Sequence, residues 1–393
     1  MTRFTRATRI SAIEISEIMQ LTEKAAGLKV AGRDVVALTT GEPDFPTPDH
    51  VVEAAHQAAL AGKTKYPATL GTAELRAAIA AANGVTAAEV IVTTGAKQVL
   101  ANAMLASLDP GHEVIMPAPF WTSYADIVLM AGGTPVILPC GADLGFKLSP
   151  EALEAAITPQ TRWLMLNSPS NPSGAIYSAA EIKGLAEVLA RHPQVWVLSD
   201  EIYEHLSYVP FVPFTMAAPA LKDRTLVVNG VSKSYAMTGW RIGWGVGPAE
   251  LIKAMGAVQG QITSGACSIA QAAALAALTG DQALLDERRA VMLARRDRMV
   301  AGLNAMPGVT CPVPDGAFYV FPDLSEAIEK GGFASDAELC AWLLDEAGVA
   351  IVPGRAFGLP GHARISFAYA ETDLIKGLRR MHAALETRLA VTL

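Results

Sequence analysis

Along the chain, short apolar runs rich in β-branched residues alternate with longer Ala- and Leu-rich stretches of helical period. That alternation predicts an α/β fold, with a mainly parallel sheet covered by helices on both faces. The predicted strands are VIVT (90–93), EVIM (113–116), TPVIL (134–138), RWLMLN (162–167), VWVLS (195–199), TLVVN (225–229) and IGWGV (242–246). Helix-like segments lie between them at 97–108, 178–191 and 248–260. Residues 254–280 lack charges, yet Gln259, Gln261, Thr263 and Ser264 leave the apolar part too short to cross a bilayer, so the stretch reads as buried helix. A long charged helix starts near residue 282, its arginines interleaved with Glu and Asp as on a solvated face. Beyond it, GAFYVF, VAIVPG and ARISFA predict strands of a second, smaller sheet.

At 393 residues the chain exceeds the length at which one core stops growing, so a large domain with a smaller companion is expected. Thirty-one Lys and Arg stand against 38 Asp and Glu, a net charge of −7, with no broad basic tract; nucleic acid is a poor partner for such a chain. Cys140, Cys267, Cys311 and Cys340 lie far apart with no C-x-x-C pair. They read as small buried hydrophobes in a reduced, cytoplasmic protein, rather than as a disulfide framework or a metal site. The opening MTRFTRATRI carries Arg3, Arg6 and Arg9 but no following apolar core, so it reads as a flexible basic arm and not as a secretory signal.

In open α/β sheets ligands bind beyond the carboxyl ends of the strands, which gives polar residues there their weight. VIVT is followed by Thr94, Gly95, Ala96, Lys97 and a helix; EVIM by PAPFW, ending in Trp121; RWLMLN by SPSNPSG, with Asn171. VWVLS runs into DEIYEH, with Asp200 and Tyr203, and TLVVN into GVSK, with Ser232 and Lys233. A glycine turn opening a helix offers unpaired N–H groups to a phosphate, and Arg241 can add a charged fork. Asp200 after an apolar run needs a cationic partner, which a protonated ring nitrogen supplies. Tyr203 and Asn171 can both bond a phenolic oxygen, Trp121 offers a stacking face, and Lys233 offers an amine for a Schiff base. Pyridoxal 5′-phosphate has all of these features. Singly, each residue has a plainer reading: a solvated loop lysine, a helix-capping aspartate, a core tryptophan, a turn asparagine. Their order at successive strand ends is what selects the ligand.

ALTTGEPDFPTP, KYPATLG, TTGAKQVL, NSPSNPSG, SDEIYEHL, SKSYAMTGWRIG, GAFYVF and ARISFA, in that order, make the chain resemble fold-type I, PLP-dependent aminotransferases of the class I/II family, close to the bacterial aspartate aminotransferase subgroup. The resemblance spans nearly the whole length. It implies Lys233 as the imine-forming residue and proton shuttle, Asp200 on the ring nitrogen, and Tyr203 and Asn171 on the ring oxygen. It implies Trp121 on the ring face and Gly95, Ala96, Ser232 and Arg241 at the phosphate, with Lys97 beside them. Tyr66 resembles the tyrosine that reaches the phosphate of a neighbouring subunit's cofactor, which implies a homodimer. Arg364 matches the arginine that grips the substrate α-carboxylate, with Gly41, Trp121 and Asn171 beside it. The implied division is residues 1–45 as an arm and part of the small domain, 46–290 as the large cofactor-binding domain, and 291–393 as the small α+β domain. Closure of one domain on the other during a ping-pong cycle is expected.

Lys97, directly after the phosphate turn, resembles a subgroup lysine that holds the distal carboxylate of acidic substrates, which favours aspartate or glutamate as donor. Its alternative is a solvent-facing place in the first helical turn. RISAIEISEIMQL departs from the subgroup's usual substrate-covering segment, so aromatic, prephenate or broader specificity stays open. A PLP-dependent lyase on the same fold is a further alternative. A non-enzymatic PLP sensor lacks a segment for a DNA-binding domain, and a dinucleotide enzyme lacks G-x-G-x-x-G after the first strand.

Overall fold

Seven apolar runs form one sheet: β1 (Val90–Thr94), β2 (Glu113–Ala118), β3 (Thr134–Pro139), β4 (Thr161–Asn167), β5 (Trp196–Asp200), β6 (Thr225–Gly230) and β7 (Ile242–Val246). Their spatial order is β1-β7-β6-β5-β4-β2-β3. Only β7 runs antiparallel to its neighbours, and the remaining pairs are parallel. β6 and β7 are buried at every position, as expected of strands covered on both faces. The edge strand β3 has no fully buried residue. This is a computed structural model, and it describes residues 4–11, 13 and 16–391; Arg3 and parts of the RISAIEISEIMQL stretch lie outside them.

Helices clothe the sheet. α1 (Ala96–Ser107) presents Val99, Leu100, Ala103 and Met104 inward, the i, i+1, i+4, i+5 pattern of an amphipathic helix. α2 (Ser123–Met130) follows β2, and α3 (Ala249–Ile262) follows β7. The 254–280 stretch is not one helix: α3 ends and α4 (Ser268–Thr279) begins after a turn in which Ser264 and Gly265 have φ of 59° and 132°. Two consecutive left-handed residues cannot continue an α-helix. At the head of α4, Cys267 is exposed, unlike Cys140, Cys311 and Cys340, so the buried reading fails for this one thiol.

A small antiparallel sheet, ordered β9-β10-β8, comprises β8 (Tyr319–Val320), β9 (Val352–Pro353) and β10 (Ala363–Ser366). VAIVPG does not act as a single strand. Its Val349–Ala350 half pairs in parallel with Val36–Ala37, and only Val352–Pro353 joins the small sheet. α5 (Ala283–Asn304) and α6 (Glu371–Val391) pack on this region, with Met292, Met299, Leu303 and Leu374, Met381, Leu385 sharing one core with Phe318, Ile365 and Phe367.

The arginines of α5 are not simply a solvated face. Arg295 forms a two-point salt bridge to Asp44, at 2.7 and 2.9 Å. Phe45 lies between the guanidinium groups of Arg288 and Arg295, 5.1 and 5.6 Å from its ring centre. Arg288 also donates to the Pro46 carbonyl at 2.7 Å. A charge run read from sequence cannot reveal that a remote loop will settle across it. Among the described residues, no helix is long and apolar enough to cross a membrane, and no His, Cys, Asp and Glu cluster is arranged to hold a metal.

Candidate active site

At the carboxyl end of the parallel strands a cavity of about 360 Å³ lies between the large sheet, the small sheet and the Gly41 loop. Strand register sets its floor: Asn167 ends β4 directly beside Asp200, which ends β5. Asp200 is buried, and its two oxygens accept from the Tyr124 hydroxyl at 2.6 Å and the Ile202 N–H at 3.2 Å. Burial raises its carboxyl to about 6, against the pull of those two hydrogen bonds and of Lys233. Tyr203, in the turn that follows, is also buried; its hydroxyl lies 3.0 Å from that of Tyr319.

Lys233 reaches the cavity from the turn after β6, and its Nζ donates to the Gly41 carbonyl at 2.6 Å. Burial lowers its pKa to about 8, Arg364 and Arg241 push the same way, and Glu42 opposes them. On the small sheet, Arg364 is 2% exposed. It donates to Asn171 Oδ1 at 3.0 Å and to the Thr39 carbonyl, and its guanidinium stands 4.6 Å from the Tyr319 ring centre. Its Nε is buried with no partner among the described residues. Asn171 is itself fixed, because its backbone N–H donates to Asn167 Oδ1 at 2.7 Å.

The other end of the cavity is built from backbone. Gly95, with φ of 78°, leads into α1, and a Cβ there would lie 2.4 Å from the Arg241 guanidinium. On β7, a Cβ at Gly243 would lie 2.2 Å from the Ala96 nitrogen. These two glycines let β7 and Arg241 close on the start of α1, whose first-turn N–H groups have no carbonyl within the helix to bond. Ala96, Lys97, Ser232 and Arg241 line this end. Lys97 keeps an exposed place in the first turn of α1 yet also lines the cavity: its Nζ lies 4.7 Å from the Trp121 ring centre, and partial burial, aided by Arg241, lowers its pKa against the pull of Asp126.

Gly41, Ala96, Lys97, Trp121, Asn171, Asp200, Tyr203, Ser232, Lys233, Arg241 and Arg364 therefore converge on one cavity, with Gly95 immediately behind it. Tyr66 does not; it is 94% exposed. Tyr124, Asn167 and Tyr319 were not singled out from sequence, although all three line the cavity. Asn167 ends a predicted strand and Tyr319 lies in GAFYVF, so position was the available signal; Tyr124 sits one helical turn past Trp121. Among the described residues, Lys97, Lys233, Arg241 and Arg364 line the space against the single carboxylate of Asp200. Such a site selects a ligand bearing several negative charges.

This architecture of a covered parallel sheet with a cationic crevice at its strand ends defines an α/β enzyme. Residues 33–380 match the model of aminotransferase class I and II, and the chain belongs to that family as an aminotransferase. It is 53% identical to an aspartate/prephenate aminotransferase of Cereibacter sphaeroides, over 95% of this chain and 97% of that one. The crystal structure of the aspartate aminotransferase from Rhizobium meliloti superposes with a TM-score of 0.93 at 51% identity, covering 98% of this chain and 99% of its own. The Thermus thermophilus aspartate aminotransferase solved with maleate gives 0.91 at 42% identity, covering 97% and 100%.

Proposed function

We propose that this protein is a pyridoxal 5′-phosphate-dependent aminotransferase that moves the amino group of aspartate or glutamate to a 2-oxo acid such as 2-oxoglutarate, in a ping-pong cycle. The observation that carries the proposal is the half-buried Lys233 side chain, which lines one cavity with the Asp200 carboxylate and the Arg364 fork. The residues fit the cofactor. The glycine cradle at Gly95 and Gly243 leaves room for no side chain where a phosphate would meet Ala96, Ser232 and Arg241. Asp200 would hold the ring nitrogen, Asn171 and Tyr203 the ring oxygen, and Trp121 the ring face. When bound, the cofactor supplies an aldehyde for amine exchange and a protonated ring that withdraws electrons from the substrate Cα.

The chain's own residues do the rest. Lowered to about 8, the Lys233 amine is partly neutral near physiological pH, and it would take the proton from the substrate Cα and deliver it to the cofactor carbon that carries the aldehyde. Arg364, which lines the cavity with a planar guanidinium, grips the α-carboxylate beside Gly41, a geometry that lysine cannot supply. Lys97 takes the distal carboxylate. The maleate in the Thermus thermophilus structure is a dicarboxylate, which supports that assignment. Prephenate belongs among the acceptors tested, because the Cereibacter sphaeroides relative bears that name.

In this reading residues 46–290 make the large domain and 291–393, with 1–45, the small one; α5 runs across the boundary. Because Arg364 and Lys233 stand on opposite sides of it, substrate draws the domains together and excludes water. The working unit is a homodimer in which Tyr66 completes the partner's phosphate site, supported by the full exposure of that ring in one chain. A cytoplasmic location suits four unpaired cysteines. Aspartate and 2-oxoglutarate should give equimolar oxaloacetate and glutamate, and Lys97→Ala should lose acidic donors more than neutral ones. Pyruvate and ammonia released without an acceptor would identify a lyase instead.

A further inference from the structure

The hydroxyl of Tyr319 sits where the two halves of the cavity meet. Tyr319 begins β8 and pairs with Ser366 on β10. Arg364 is two residues along β10, so it shares the face of Ser366 and is the diagonal neighbour of Tyr319. That register lays the guanidinium over the ring, 4.6 Å from its centre, with the Phe357 ring at 5.0 Å on the same cation. The far end of the ring leaves the small sheet and meets the Tyr203 hydroxyl at 3.0 Å. Its position is held from a third side, because a Cβ on Gly41 would lie 2.1 Å from the Tyr319 oxygen. The Gly41 carbonyl is the group that accepts from Lys233. Tyr319 itself is 1% exposed. The charged and titratable groups acting on it are Arg364, Tyr203 and Tyr369.

Two facing phenols share one hydrogen between them. If Tyr203 donates to Tyr319, its hydrogen is unavailable to any ligand. If Tyr319 donates, the Tyr203 hydrogen is free to point into the cavity and, as the second link of a hydrogen-bond chain, becomes a stronger donor. We infer that Tyr319 is a positioning residue that orients the Tyr203 hydroxyl toward the ring oxygen of the cofactor while its ring seats the Arg364 guanidinium that grips the substrate carboxylate. The inference rests on the reading that this cavity takes pyridoxal phosphate, and it assigns one side chain to both the ring oxygen and the carboxylate.

The hydroxyl and the ring can be tested apart. Tyr203 stabilises the ionised ring oxygen, so weakening its donation raises the pH midpoint of the visible absorbance change of the reconstituted holoenzyme. Tyr319→Phe should raise that midpoint by a few tenths of a unit, on the order of one polarised link in a hydrogen-bond chain, and leave maleate binding within about twofold because the ring remains. Tyr203→Phe should raise it further, and the double variant no further than Tyr203→Phe alone, since both act through one hydroxyl. Tyr319→Leu should weaken maleate binding about five- to tenfold through loss of the cation–ring contact. Additive midpoint shifts, an unmoved midpoint in Tyr319→Phe, or unchanged maleate binding in Tyr319→Leu would overturn the assignment of Tyr319 alone. A parent protein with no borohydride-reducible visible band would overturn the cofactor reading and this inference with it.

Discussion

Lys233 illustrates how far a single residue can be read before folding is considered. From sequence it is a lysine after a serine in a polar turn; its reactivity comes from burial and from two arginines, one 131 positions away on another sheet. The neutral amine is the nucleophile, and with a pKa lowered to about 8 its neutral fraction rises as pH climbs through that value and then levels. Capture of pyridoxal phosphate by the cofactor-free protein should therefore accelerate up to about pH 8 and flatten above it, measured by stopped-flow absorbance. An ordinary exposed lysine would give a rate still rising beyond pH 10. Asp200, Asn171 and Arg241 were legible because each follows an apolar strand or lies in a motif. Tyr124 was not, because its value lies in a 2.6 Å bond to Asp200 across 76 positions of sequence.

Elements were legible in proportion to their length. All seven strands of the large sheet follow from short apolar runs, and in the inner strands burial on both faces leaves few polar positions to confuse the period. The two-residue pieces of the small sheet have too few positions to show any period, and VAIVPG accordingly hid a division between two sheets. The contact of β7 with the start of α1 was equally hidden, because it depends on Gly243 having no side chain. The obstructing atoms there are backbone atoms of Ala96 and Gly95, which cannot rotate aside. Gly243→Ala should therefore displace the start of α1 and weaken pyridoxal phosphate binding at least tenfold, in keeping with an overpacking cost of about 1–3 kcal/mol. Gly27→Ala, in open space on a helix, serves as control and should leave binding unchanged. Equal affinities for the two variants by fluorescence titration would show that the cradle tolerates the methyl.

At the scale of the whole molecule, the chemistry is divided between distant parts of the chain: Lys233 and Asp200 come from the large sheet, Arg364 and Tyr319 from the small one, and Gly41 from near the amino terminus. Tyr66 stands 94% exposed and outside this arrangement. Light scattering should give twice the mass of one chain, and Tyr66→Phe should release pyridoxal phosphate faster without changing that mass. A monomer that retains full activity would refute the shared site.

The grip of α5 on the amino-terminal loop reaches further than stability. Asp44, Phe45 and Pro46 are fastened to Arg288 and Arg295, and three residues earlier in the same loop the Gly41 carbonyl touches the Lys233 amine. α5 is thus tied through Arg288 and Arg295 to the loop whose backbone oxygen holds the reactive nitrogen, so a shift of that part of the helix would be expected to reach it. Directed evolution toward new amino donors would accordingly find gains on the outer turns of this helix, at positions that no inspection of the cavity walls would nominate.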